Sequence, residues 1–182
     1  SKCRAVDSVL IELLEAMGAV LIEGPRGCGK TSTALAKAAS HVRLDKSPSM
    51  VQLAELNPSE ILKGETPRLI DEWQLAPSIW NAVRHEIDDR QQQGQFILSG
   101  SSSPNIDEKR HSGVGRIARL RMRPMALVES GASSGSISLN QLSIGESVSA
   151  TSKLGYKDLA EQAVRGGWPA LLEAGTRQAI AF

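Results

Sequence analysis

The feature that most constrains this chain is the octapeptide GPRGCGKT at residues 24–31. It has the pattern G-x-x-x-x-G-K-T. The short apolar run Ala19–Ile22 precedes it, and residues 31–39 after it have a helical pattern. Strand, glycine-rich loop and helix are the context in which this pattern predicts a phosphate-binding loop, because its backbone N–H groups then curl around an anion. The alternative is an ordinary glycine-rich turn before a helix.

The residue types in the loop predict a division of labour. Lys30 is expected to reach the β- and γ-phosphates of a nucleotide, and the Thr31 hydroxyl is expected to bind Mg²⁺. The start of the following helix adds a partial positive charge behind the phosphate. Nine consecutive residues are expected to contact the nucleotide: Gly24, Pro25, Arg26, Gly27, Cys28, Gly29, Lys30, Thr31 and Ser32.

Composition sets the class of protein. The 182 residues suffice for one good-sized domain, and a 41% hydrophobic, 23% charged chain is ordinary for a globular protein. A net charge of +1 provides no general attraction to nucleic acid or membrane. Cys3 and Cys28 are too few for a disulfide framework, so a cytoplasmic location is expected. A chain that begins at Ser1 and ends at Phe182 is expected to be a fragment, or to lack its terminal regions.

Short apolar runs alternate with helical patterns along the first two thirds of the chain. This order predicts an α/β fold, a three-layer sandwich around a central parallel sheet of five strands, with the ligand at the carboxyl ends of the strands. Strands are expected at Ala19–Ile22, His41–Asp45, Arg68–Glu72, Phe96–Leu98 and Ile117–Met122. Helices are expected at Arg4–Met17, Thr31–Ala39, Met50–Leu62 with a break at Asn57-Pro58, Ile79–Arg90 and Tyr156–Gly175 with a break at Gly166–Pro169.

Three regions are expected along the chain. Residues 1–128 form the nucleotide-binding core, and residues 129–153, rich in Ser and Gly, form a loop or linker. Residues 154–182 form a helical extension.

Polar residues at the ends of the third and fourth strands are candidates for chemistry. Asp71 is expected to hold Mg²⁺ through water, and Glu72 to polarise an attacking water. Ser99 and Ser101 stand where a side chain can sense the γ-phosphate. The alternative without a catalytic role is that Asp71 and Glu72 are an acidic strand end exposed to solvent, and that Ser99 and Ser101 belong to a serine-rich turn.

Arg116 follows two glycines just before the fifth strand, which suits it to reach a developing negative charge in its own subunit or a neighbour. The alternative interpretation is that Arg116 is an ordinary solvent-exposed arginine on a basic strand. That strand, with Arg119, Arg121 and Arg123, is also a candidate DNA-binding face. The three histidines share no ligand spacing with the cysteines, so zinc is not expected.

Several motifs occur in a characteristic order: GPRGCGKT, then LIDEWQLAP at 69–77, FILSGS at 96–101, GVGR at 113–116 and GGWP at 166–169. Together they resemble the prokaryotic AAA+ superfamily ATPases that carry a C-terminal domain of unknown function. The resemblance covers roughly residues 5 to 170. It implies a P-loop NTPase core of the RecA-like, ASCE type with ATP and Mg²⁺ as cofactors. It also implies a homo-oligomer in which Arg116 faces a neighbour, and a protein or DNA client bound through the C-terminal domain, which is absent here.

Three functions remain open on the sequence. The first is an ATPase whose catalytic residues are Glu72, Arg116, Ser99 and Ser101, with Thr31 and Asp71 at the metal. The second is a small-molecule or nucleotide kinase that uses residues 116–123 as a phosphate lid. The third is a nucleotide-gated module that binds DNA or protein. No guanine-reading motif occurs, so ATP is favoured over GTP.

Overall fold

The computed structural model describes residues 4–101 and 113–173, together with residues 177 and 179. The described residues up to Arg123 pack as one compact unit, and those from Pro124 onward pack as a second. The described residues of the first unit form these helices and strands: α1 Val6–Ala16, β1 Ala19–Glu23, α2 Lys30–Leu35, β2 Ser40–Arg43, α3 Pro48–Leu56, α4 Pro58–Leu62, β3 Arg68–Asp71, α5 Ser78–Arg90, β4 Phe96–Gly100 and β5 Ile117–Arg121.

The centre of the first unit is a five-stranded sheet in the order β2-β3-β4-β1-β5. Every neighbouring pair of strands is parallel. The pairing aligns Arg43 with Asp71 and Asp71 with Ser99, so these three residues lie side by side near the carboxyl ends of their strands. The predicted α/β class with a central parallel five-stranded sheet is confirmed.

Helices cover both faces of this sheet. Alternate strand residues such as Leu21, Ile70 and Leu98 pack with residues of α3, α4 and α5 in one buried cluster. Their strand neighbours, including Val20 and Ile97, are also fully buried. They point to the opposite face because successive strand residues alternate. Helices α1 and α2 contact the central strands and cover that second face. A parallel sheet buried on both faces explains why its strands read as apolar runs.

Local sequence sets several boundaries. Ser47 accepts a hydrogen bond from Met50 N at the start of α3, where Pro48 fits because the first helical turn needs no N–H from it. The break predicted at Asn57-Pro58 is confirmed, since α3 ends at Leu56 and α4 begins at Pro58.

Two predicted elements of the core end two or more residues earlier than expected. The helix predicted over residues 31–39 ends at Leu35, because the chain turns there so that Ala39 N can donate to Pro67 O beside β3. The second predicted strand is also cut: β2 ends at Arg43, and a 3₁₀ turn follows over Leu44–Lys46.

The described part of the second unit includes the short helices α6 Leu127–Ser130, α7 Leu139–Ser143 and α8 Tyr156–Arg165. Helix α8 ends before Gly166, so the predicted break at residues 166–169 is confirmed. Gly167 O accepts a hydrogen bond from Met125 N at 2.6 Å, and a Cβ at Gly167 would lie 2.0 Å from Met125 O. None of the helices among the described residues has the length and apolar character of a membrane span.

Candidate nucleotide-binding site

The glycine-rich loop connects the carboxyl end of β1 to the start of α2. Gly27 and Gly29 have φ values of 79° and 103°, a backbone region that residues with a Cβ rarely adopt. These two glycines give the segment the tight curl that the sequence pattern predicted. Pro25 and Arg26 are exposed at the rim of the loop, and Ser32 is exposed in the first turn of α2.

Lys30 is buried inside this curl, with 7% of its surface exposed. Its Nζ donates hydrogen bonds to Gly24 O at 2.9 Å and to Pro25 O at 3.0 Å. No carboxylate of the described residues forms an ion pair with it. A buried ammonium that has only carbonyl partners is costly without an anion. This charge therefore fits a phosphate group at the loop.

Thr31 brings the loop together with β3. Its Oγ1 lies 3.1 Å from Asp71 Oδ1 and 3.0 Å from Asp71 Oδ2, so the hydroxyl donates to the carboxylate. Asp71 is 2% exposed at the end of β3. The Ser99 hydroxyl, fully buried at the matching position of β4, also donates to Asp71 Oδ1. Two hydroxyl donors from two different elements thus orient one buried carboxylate.

These oxygens fit a hard divalent cation. Mg²⁺ prefers oxygen ligands, keeps several waters, and is usually held by one or two protein groups together with nucleotide phosphates. The Thr31 hydroxyl and the Asp71 carboxylate are such a pair, 3.0 Å apart. The part of the chain that the structure describes contains no cluster of three or more His, Cys, Asp or Glu residues that could hold a metal. A cation here would depend on the nucleotide for its other ligands.

Arg43, at the end of β2, completes the charged cluster and was not predicted. It hydrogen-bonds both Asp45 oxygens, at 2.9 Å and 3.3 Å, and its Nε lies 3.7 Å from Asp71 Oδ2. The hydrogen bond to Asp45 raises the pKa of Arg43 above its usual value, and the charges of Asp45, Asp71 and Glu72 act in the same direction. The strand-end rule that selected Asp71 also applies to Arg43 and would have found it.

Glu72 lies just outside β3, with a left-handed backbone at φ 57° and ψ 39°. Its Oε2 accepts a hydrogen bond from Gln74 Nε2. The same Nε2 lies 3.5 Å from Ser101 Oγ, just beyond the end of β4. The side chain of Gln74 therefore links the predicted residues Glu72 and Ser101 in one hydrogen-bond network. The sequence indicated Gln74 only as part of a motif.

Comparison with known proteins identifies the family. The family model described as AAA domain matches residues 17–130, which include the loop, Asp71, Ser99 and Arg116. The chain belongs to the AAA domain family. No curated protein matches it.

Solved structures with similarity to this AAA domain include a DNA replication initiation factor, at 13% identity and a TM-score of 0.46. PCH-2 from C. elegans has 15% identity and a TM-score of 0.37. A katanin solved to explain its self-assembly has 16% identity and a TM-score of 0.43. They match 97%, 97% and 96% of this chain, which spans 56%, 58% and 65% of theirs. At these values the three structures add nothing to the family assignment.

Cys28, one of the residues expected to contact the nucleotide, lies in the interior of the loop. This residue of the AAA domain is 0% exposed. Its carbonyl accepts a hydrogen bond from Arg4 Nη1 at 2.8 Å, and Arg4 Nη2 donates to Arg123 O at 2.9 Å. The Cys28 N–H donates to Pro25 O at 3.3 Å, so the structure buries the thiol and engages both backbone polar groups of this residue within the protein. No local sequence pattern indicates that Arg4 donates a hydrogen bond to the loop.

Arg116 of the AAA domain lies away from the residues above. Its carbonyl accepts a hydrogen bond from Ala19 N, at the start of β1, whereas the loop begins after the end of β1. A five-residue strand separates the two, about 13 Å at the usual rise per residue. The side chain pairs with Asp88, with Nε 2.6 Å from Oδ1. This placement argues against the alternative in which Arg116 serves the loop of its own chain.

Proposed function

We propose that this AAA domain binds ATP together with Mg²⁺ and hydrolyses it. The family supports nucleotide-dependent ATPase activity in general. The contact between Thr31 and Asp71 is the observation that supports the specific chemistry. It puts the hydroxyl and the carboxylate expected at a nucleotide-bound Mg²⁺ next to each other, directly after a loop that holds a buried lysine.

Each residue then has a role in phosphoryl transfer. Lys30 neutralises charge on the phosphates, and the loop amides orient them. Thr31 and Asp71 would hold Mg²⁺, which when bound offsets negative charge on the phosphate oxygens. Glu72 accepts a proton from the attacking water through Oε1, since Gln74 donates to Oε2 and none of the described residues donates to Oε1. Ser99 acts as an orienting group on Asp71, since its buried hydroxyl is already committed there.

We assign Arg116 to the active site of a neighbouring copy. Its position at the amino-terminal edge of the sheet, on the far side from its own loop, favours action across a subunit boundary. An arginine supplied in this way accelerates phosphoryl transfer by about 10³–10⁵ where it has been dissected. The proposal therefore includes a homo-oligomer as the active species.

The test measures inorganic phosphate released from MgATP with no acceptor present. Wild-type protein should release phosphate, and Glu72→Gln should slow release by about 10²–10⁴ while MgATP affinity is retained. Glu55→Gln, at an exposed position of α3, is the matched control and should behave as wild type. A protein that releases phosphate only when an acceptor is added is a kinase. One that binds MgATP without turnover is a nucleotide-gated module. Either result refutes the proposal.

A further inference from the structure

Gln74 lies between Glu72, the proposed proton acceptor, and Ser101, which was predicted from the sequence at the same site. It belongs to a 3₁₀ turn, Trp73–Leu75, directly after Glu72. Its Nε2 donates to Glu72 Oε2 and approaches Ser101 Oγ at 3.5 Å. An amide nitrogen carries two protons, so the two contacts use its full capacity as a donor.

The other end of the Gln74 amide is also closely held. Gln74 Oε1 is buried and accepts no hydrogen bond from the described residues. It lies against Gly100, where an added Cβ would stand 2.1 Å from it. The absence of a side chain at Gly100 therefore makes room for the amide. A buried oxygen without a donor is normally costly, so the contacts at Nε2 have to outweigh it.

The sheet order gives these contacts a direction. Strand β4 lies between β3, which carries Asp71, and β1, which leads into the phosphate loop. Ser101 immediately follows β4, so a bridge from Glu72 to Ser101 draws the Glu72 carboxylate toward the loop and away from β2. The left-handed backbone of Glu72 is an uncommon conformation for a glutamate, and the Gln74 bond restrains the side chain that leaves it.

We infer that Gln74 is a positioning residue for hydrolysis: its amide holds the Glu72 carboxylate beside Ser101, on the loop side of β3. The inference rests on the proposed function, because Glu72 has to be the group that accepts the proton. Gln74 itself contacts neither water nor nucleotide in this role. Its loss should lower kcat and leave MgATP binding unchanged.

The experiment replaces Gln74 with Met, which keeps the length of the side chain and removes both donors. We expect kcat for phosphate release to fall by about 10- to 10²-fold, the scale of a small misplacement of a reacting group. The Kd for MgATP should stay within about twofold of wild type, because no ground-state contact to nucleotide is lost. Gln52→Met, at an exposed position of α3, is the matched control and should change neither quantity.

A double-mutant cycle separates positioning from a structural effect. If Gln74 acts through Glu72, Gln74→Met should cause no further loss of rate in a Glu72→Gln background. Gly100→Ala provides a second route, because its Cβ displaces the amide while Gln74 remains. It should reproduce the low kcat and the normal Kd even where Gln74→Met folds poorly.

A readout independent of turnover is the NMR signal of the Gln74 side-chain amide in the nucleotide-free chain. Glu72→Gln removes the charged acceptor, so the Gln74 signal should shift and the Gln52 amide signal should not. An unmoved Gln74 signal overturns the inference. So does a normal kcat in Gln74→Met, or an unchanged rate loss in the Glu72→Gln background. Failure of the wild type to release phosphate instead refutes the proposed function, and the inference with it.

Discussion

Lys30 provides the sharpest test of the site. Lys30→Met removes the ammonium and keeps a side chain of similar length inside the curl of the loop. Among the described residues, the carbonyls of Gly24 and Pro25 are the only hydrogen-bond partners of this ammonium. We therefore expect the ammonium to contribute mainly to the binding free energy of the phosphate.

The size of the effect follows from the kind of contact that is lost. A hydrogen bond that involves a charged group contributes about 1.5–3 kcal/mol. At 1.4 kcal/mol per factor of ten, this predicts a rise in the Kd for MgATP of about 10- to 150-fold. Burial of Lys30 excludes water from the contact, so we expect the upper half of this range.

Isothermal titration with MgATP measures the change directly. Lys46→Met, at an exposed position after β2, removes the same charge outside the loop and should leave the Kd unchanged. Thermal unfolding of both variants checks that the fold is retained. If a folded Lys30→Met protein binds MgATP as wild type does, the loop is not the phosphate site.

Three further predictions concern contacts that the structure revealed. Arg116→Ala should lose ATP turnover and keep its MgATP affinity. Mixing this variant with Lys30→Ala should restore phosphate release, because one subunit retains the binding site and the other retains the arginine. Mixtures as inactive as their parents would exclude action across a subunit boundary. The hydrogen bond from Arg116 holds the pKa of Asp88 below its usual value. The ion pair therefore stabilises the fold at pH values above the ordinary carboxyl pKa, and this contribution, which is small at an exposed site, is lost as pH falls through the lowered pKa. Carboxyl NMR should show that the pKa of Asp88 rises in Arg116→Gln. Arg4→Met removes the donor that braces the Cys28 carbonyl, so peptide-resolved thiol labelling of Cys28 should become faster, and an unchanged rate would show that Arg4 does not secure the loop.

The elements of the core were predictable because their signals are local. Each apolar run of β1, β3 and β4 is short and bounded by turn residues, as strands buried on both faces are. In β5, exposed Arg119 and Arg121 alternate with buried Ala118 and Leu120, as the pattern indicated. The end of α2 was not predictable, since a hydrogen bond from Ala39 to the distant Pro67 decides it.

The candidate site divides in the same way. The loop, Asp71 and Ser99 were predicted to lie together from their positions after apolar runs, because parallel strands bring their carboxyl ends to one edge. The partners of these residues were not found: Arg43 beside Asp71, Gln74 beside Glu72, and Arg4 beneath Cys28. The strand-end rule covers Arg43, whereas the contacts of Gln74 and Arg4 depend on a side-chain direction or on a separation in sequence that no local pattern records.

The sequence by itself determined the phosphate loop, the strands and helices of the core, and the residue types available at the strand ends. These follow from interactions within a few residues, such as glycine conformations, apolar periodicity and proline breaks. The tertiary structure decided which strand ends become neighbours, and that the Ser99 hydroxyl donates to Asp71. It also decided that the length of β1, about 13 Å, separates Arg116 from the loop of its own chain. Sheet order sets those distances, and it arises from the packing of segments far apart in the chain.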